Sequence, residues 1–138
     1  MKISRVLIAT IIIFVLHTVV GMLTCGKYFS WIYQIEPTNV WKAMTGSPSL
    51  LFFLSSLILC SFPFALFYGV LQKAIPGNNT IVKGLVYGLI ITILGLIPGM
   101  ISTYFFMTVA YQVIIYWTIW GLIMNSISGA IVAVIYGE

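Results

Sequence analysis

Charge is what this sequence has least of. Only 6% of its 138 residues are charged, and two of them are acidic, Glu36 and Glu138. No carboxylate therefore falls inside a long apolar run, which excludes proton or cation coupling through an intramembrane carboxylate of this chain. Histidine is nearly absent as well, with His17 alone. The two cysteines, Cys25 and Cys60, lie far apart and form no CxxC. One histidine and two separated cysteines cannot supply the three or four clustered ligands of a zinc site, and a thiol oxidoreductase has no motif to work with. No basic run exists, so nucleic-acid binding has no electrostatic footprint. Ser55, Ser56 and Ser61 have no base that spacing alone would place beside them, which leaves hydrolytic chemistry without a nucleophile pair.

What fills the sequence instead is apolar. Hydrophobic residues make up 62% of the chain and the mean hydropathy is +1.16, too little polar surface to coat a water-soluble globule. A spanning helix needs about 20 apolar residues to cross about 30 Å of hydrocarbon. Charge-free intervals run from Arg5 to Lys27, from Lys42 to Lys73 and from Lys83 to Glu138. The last would be roughly 80 Å long as one continuous helix, enough for two crossings. The expectation is an all-α membrane protein, a single-domain bundle of four transmembrane helices over about Val6 to Thr24, Ser49 to Leu71, Thr80 to Tyr104 and Val113 to Tyr136.

Lys2 and Arg5 before an apolar run imitate a signal peptide, and Leu23-Thr24-Cys25-Gly26 is a poor lipoprotein box because Thr24 stands where a very small residue belongs. The stretch is read as a retained first helix. Gln72 to Asn79, with Pro76-Gly77, reads as a short turn, with Thr80 able to cap the third helix. An even number of spans puts both termini on the side of this turn, together with Lys2, Arg5, Lys73 and Lys83, against Lys27 and Lys42 on the other. The positive-inside rule then predicts cytoplasmic termini and an outward-facing segment over residues 25–48. Within it Tyr28, Trp31, Ile32 and Ile35 have the spacing of one apolar helical face, which predicts a short interfacial helix between the first two spans. Pro37 breaks it, Val40 to Met44 could form one further turn, and Trp41 is expected at headgroup depth. Glu36 is expected to pair with Lys27 or Lys42.

Helices in a bilayer associate by close backbone approach, which small residues spaced by four permit. The fourth helix carries Gly121, Asn125, Gly129, Ala133 and Gly137 at that spacing, and the third carries Gly84, Gly88 and Thr92, then Gly95 and Gly99. Both stripes are expected to pack, on each other or on another chain. Pro98 is expected to kink the third helix, with Ser102 or Thr103 near the carbonyls it frees.

His17 falls near the middle of the first span, where an ionisable group is a functional candidate by default. It could ligate haem iron, hydrogen-bond a quinone or accept a proton, or it could be a neutral ring bonded to Asn125, Thr18 or a backbone carbonyl. Asn125 is read as interhelical glue. Cys25 and Cys60 are expected at different depths, too far apart for a disulfide.

The pattern Lys83-Gly84-Leu85-Val86-Tyr87-Gly88, Ile97-Pro98-Gly99-Met100-Ile101-Ser102-Thr103-Tyr104, Tyr116-Trp117, Gly121 and Gly129 resembles one that recurs in small bacterial four-helix membrane proteins of a domain of unknown function. That resemblance implies a prokaryotic inner-membrane protein and assigns no activity. The leading expectation is a non-catalytic accessory or assembly subunit of a larger membrane complex, with the lipid bilayer and other membrane subunits or further copies of itself as partners. Two others stand beside it. One is a small ligand-binding or conducting protein with a cavity near His17 and Asn125. The other is a haem or quinone site shared with a partner chain.

Overall fold

In a computed structural model the structure is described for residues 2–41 and 49–137. Its described residues form four helices long and apolar enough to cross a membrane: α1 Ile3–Tyr28, α2 Leu50–Leu71, α3 Thr80–Phe106 and α4 Tyr111–Tyr136. No strand occurs among the described residues. Both termini lie at one end, where the Arg5 guanidinium donates to the backbone carbonyl of Tyr136. The other end carries residues 29–41 and the short α3–α4 connection.

Local chemistry sets the helix ends. Ser49 caps α2 by accepting from the Phe52 amide at 3.3 Å. Asn79, not Thr80, caps α3: its side-chain oxygen accepts from Val82 N–H at 2.8 Å, and its extended backbone (φ −147°, ψ 166°) is the cap conformation. Asparagine ranks above threonine in that role. Gly137, expected to continue the α4 stripe, instead closes the helix in the left-handed region at φ 61°, a conformation glycine adopts without steric penalty.

Three of the helices contain a widened π-helical turn. In α1 it is the last turn, Thr24–Tyr28. In α2 it spans Ser56–Ser61 and in α3 Thr92–Leu96. The latter two immediately precede a proline in the first turn of the next α-helical stretch, Pro63 in Phe62–Leu71 and Pro98 in Ile97–Phe106. A proline inside a helix lacks its amide donor and drives its ring into the carbonyl four residues back, and a wide turn relieves that crowding. Ser102 and Thr103 donate to the carbonyls of Pro98 and Gly99 at 3.0 and 2.9 Å. They bond one turn back along the helix, past the carbonyls that Pro98 releases.

α3 and α4 form the closest helix pair, and glycine makes the approach possible. A Cβ on Gly84 would collide with the Gly129 carbonyl and sit 2.7 Å from Ala130 N. One on Gly88 would strike the Asn125 backbone and lie 2.6 Å from Ser126 Cα, and one on Gly129 would meet Gly84 and come within 3.0 Å of Gly88 N. Gly121 faces the Leu96 side chain. Gly95 and Gly99, expected on the same stripe, have open space around them. The π-turn explains the difference. It inserts one residue, which rotates everything after it by about 100°, so the packed face of α3 passes from Gly84, Gly88 and Thr92 to Leu96.

α1 lies against α2 and α4. The buried core is concentrated at the end that carries the termini, where Val6, Ala9 and Ile13 of α1 meet Ala65 and Tyr68 of α2, Tyr87 of α3, and Val132, Ala133 and Tyr136 of α4. Ile75, from the turn between α2 and α3, plugs into the same cluster. Tyr68 sits edge-on to both Tyr87 and Tyr136, at centroid separations of 5.2 and 5.4 Å.

The segment after α1 holds one short 3-10 helix, Ser30–Gln34, in the stretch where a short interfacial helix was expected. Too few residues lie between the end of α1 and Pro37 to offset helix nucleation, and a residue before proline disfavours the helical region. Ile32 is accordingly buried, while Tyr28 and Trp31 are exposed. Glu36 accepts from the Thr38 amide at 3.1 Å and the Lys27 ammonium lies over the Tyr28 ring, in place of an ion pair between the two. Most of the turn expected over Val40 to Met44, and Lys42 with it, lies outside the described residues.

Candidate functional site: an aromatic cleft under the connecting segment

At the end away from the termini, α1, α2 and α4 diverge and the segment after α1 folds across them, leaving a cleft of about 840 Å³. This falls within the size range of small-molecule sites, about 300–1,000 Å³. α1 supplies His17, Gly21, Met22 and Cys25 to its wall, the connecting segment Tyr33, Gln34 and Trp41, α2 Phe52 and Ser56, and α4 Trp120. Most of this surface is apolar, with a few polar groups set into it.

The roof is held by aromatic side chains whose polar ends find partners. Trp117 and Trp120 lie one turn apart on α4. Trp117 Nε1 donates to the Tyr33 hydroxyl and Trp120 Nε1 to Thr24 Oγ1, both at 2.9 Å. Thr24 in turn donates to the Val20 carbonyl at 2.7 Å. Trp41 packs edge-on against Tyr33 and Trp117 at 5.3 and 5.9 Å between centroids. Its indole nitrogen is buried without a hydrogen-bond partner among the described residues. Tyr116 reaches Cys25 Sγ at 3.3 Å and lies against Phe29. Burial pushes the Tyr33 phenol up to about 12, against the opposing bond from Trp117, so it stays a neutral hydroxyl at physiological pH.

His17 forms the deep wall. Its Nε2 is 2.8 Å from Ser128 Oγ on α4, and its ring stands edge-on to Trp120 at 5.8 Å. The partner is thus Ser128, and neither Asn125 nor Thr18. Two residues on separate helices and far apart in sequence meet here, and no local spacing could have paired them. A histidine bonded to serine has the outline of a nucleophile and its base. Ser128, however, is completely buried, so a substrate carbonyl has no approach to its oxygen. Asn125 lies elsewhere. Its amide donates to Thr92 Oγ1 at 3.1 Å across the α3–α4 contact, and it does not line the cleft. His17 and Asn125, expected around one cavity, therefore belong to different places.

Of the residues expected at the interface, Tyr28 and Trp31 project outward, whereas Trp41 turns in to the cleft. Both cysteines are free thiols. Among the described residues no three His, Cys, Asp or Glu side chains stand close enough to hold a metal ion. Tyr33, Trp117, Trp120 and Ser128 went unmarked in the sequence as site residues. The available signal was the run Tyr116, Trp117 and Trp120, which places aromatic side chains within one turn of a membrane helix with their polar ends in need of partners.

The chain matches no family model, no curated protein and no solved structure.

Proposed function

We propose that this protein binds a small amphipathic molecule within the membrane, in the cleft between α1, α2 and α4. One observation carries the reading: a largely apolar cleft of about 840 Å³ has polar groups from three elements set into its wall, which is how small-molecule sites are commonly built. The accessory-subunit reading drew its support from the glycine-lined helices, the minimal loops and the missing catalytic groups. Gly84, Gly88 and Gly129 are consumed by the chain's own α3–α4 contact, leaving Gly95 and Gly99 for another chain, so the weight passes to the cleft.

The end with the termini holds Lys2, Arg5, Lys73 and Lys83. By the positive-inside rule that end is cytoplasmic and the cleft lies toward the outer face of a bacterial inner membrane. Native mass spectrometry on protein taken from its own membranes into nanodiscs tests the reading. The expected result is a bound small molecule retained by the native chain and lost from Gly21→Leu. A Cβ at Gly21 meets only Trp120 Cζ2 at 3.9 Å, so that side chain fills the cleft without displacing backbone. Identical adducts on both proteins would overturn the proposal.

A further inference from the structure

If the cleft is a ligand site, its wall restricts the chemistry of the ligand. No Lys, Arg, Asp or Glu among the described residues lines it, so these residues offer a charged headgroup no counter-charge for the hydration it would lose. The polar groups offered include the His17 imidazole, the Thr18, Ser30 and Ser56 hydroxyls and the Gln34 amide, none of them an acid or a strong base. Around them stand the aromatic side chains of Tyr33, Trp41, Phe52 and Trp120, surroundings suited to a planar ring.

His17 adds a property that the other groups lack. Its Nε2 is paired with Ser128 Oγ, and no hydrogen bond is made at Nδ1 among the described residues. A neutral imidazole carries one N–H. When the Ser128 hydroxyl donates to Nε2, the proton sits on Nδ1 and that atom is a donor. When Nε2–H donates to Ser128, Nδ1 is an acceptor. Rotation of one hydroxyl, with a shift of tautomer, thus changes Nδ1 from donor to acceptor at constant charge. A ligand whose ring oxygen is a carbonyl in one form and a hydroxyl in another therefore finds a partner at Nδ1 in both forms.

We infer that the cleft is a site for a quinone and its quinol. The ring oxygen meets His17 Nδ1, the ring lies among the aromatic walls, and the apolar tail leaves past Met22 and Phe52 between α1 and α2. The proposal concerns binding of the two forms and includes no electron transfer by the protein. It rests on the ligand-binding reading above.

The test is photo-crosslinking in phosphatidylcholine nanodiscs with a decyl-tailed benzoquinone carrying a ring azide. Crosslinks are expected in the peptides around His17, Tyr33 and Phe52, competed by unlabelled decyl benzoquinone and by its quinol but not by dioleoylglycerol. Gly21→Leu should abolish them. His17→Phe, which keeps a ring and removes both nitrogens, should weaken competition by about tenfold, the equivalent of one hydrogen bond. Should His17→Phe fail to fold, Gly21→Leu and the competition series still decide. Competition by dioleoylglycerol and not by the quinone would overturn this inference while leaving a ligand site in place. Uncompeted labelling spread over the outward helix faces would overturn both.

Discussion

Tyrosine and tryptophan rings gather at both ends of this bundle, and they do opposite things there. At the end with the termini, Tyr87 donates to the Phe64 carbonyl at 2.7 Å and Tyr136 to the Ala65 carbonyl at 3.0 Å. Their hydroxyls are spent on α2 backbone and their rings close on Tyr68, so the space between helices is filled. At the far end Trp117 and Trp120 donate across to oxygens of Tyr33 and Thr24, bridging over a gap and leaving it open. An amphipathic ring can thus seal a core or roof a cavity, depending on how closely the helix backbones approach beneath it. Backbone approach is set by the glycines: Gly84, Gly88 and Gly129 bring α3 and α4 together near the termini, and no equivalent set brings α1, α2 and α4 together at the far end.

That contrast can be broken most forcefully at its tight end. Gly88→Leu forces a side chain into the Asn125 backbone and is expected to cost at least about 3 kcal/mol, the upper range for overpacking, measured by unfolding in mixed micelles. Tyr136→Phe, which removes one buried hydroxyl bond, should cost about 1 kcal/mol in the same assay. At the roof, Trp117→Phe removes the bond to Tyr33. The expected result is a several-fold rise in the labelling rate of the Cys25 thiol by a maleimide, with global stability changed by less than about 1 kcal/mol, because opening there is local. An unchanged labelling rate would show that the roof does not depend on that bond. The smallest effect belongs to Gly99→Ala. With open space at its Cβ position, the change should be neutral or stabilise by up to about 1 kcal/mol, whereas a substantial loss would place Gly99 in contact with another chain.

Much of the architecture was legible in the sequence. Four helices long and apolar enough to cross a membrane followed from the lengths of the charge-free runs, and glycine packing on α3 and α4 from small residues spaced by four. The stripe on α3 nevertheless reads as continuous from Gly84 to Gly99, and only half of it packs. The cause is the π-turn at Thr92–Leu96, whose extra residue has no signature in spacing apart from the nearby Pro98. Pro63 marks the same arrangement in α2 and drew no expectation of its own. The apolar spacing of Tyr28, Trp31, Ile32 and Ile35 marked a helical stretch without its length or type, a five-residue 3-10 helix at Ser30–Gln34, because periodicity carries no information about whether a segment is long enough to nucleate.

The candidate site was less legible than the fold. His17 stood out because an ionisable group within an apolar span is costly, and it does form the deep wall of the cleft. Its partner Ser128, the bridging indoles of Trp117 and Trp120, and the separation of Asn125 from the cleft all depend on which faces of distant helices meet.

By itself the sequence determined that this chain is all-helical and carries four helices long and apolar enough to cross a membrane. Those follow from hydropathy and length, which are sums along the chain. Only the tertiary structure decided where the bundle is solid and where it is hollow. That depends on helix rotation, and a single π-turn resets rotation by about 100°, more than a quarter of a circle.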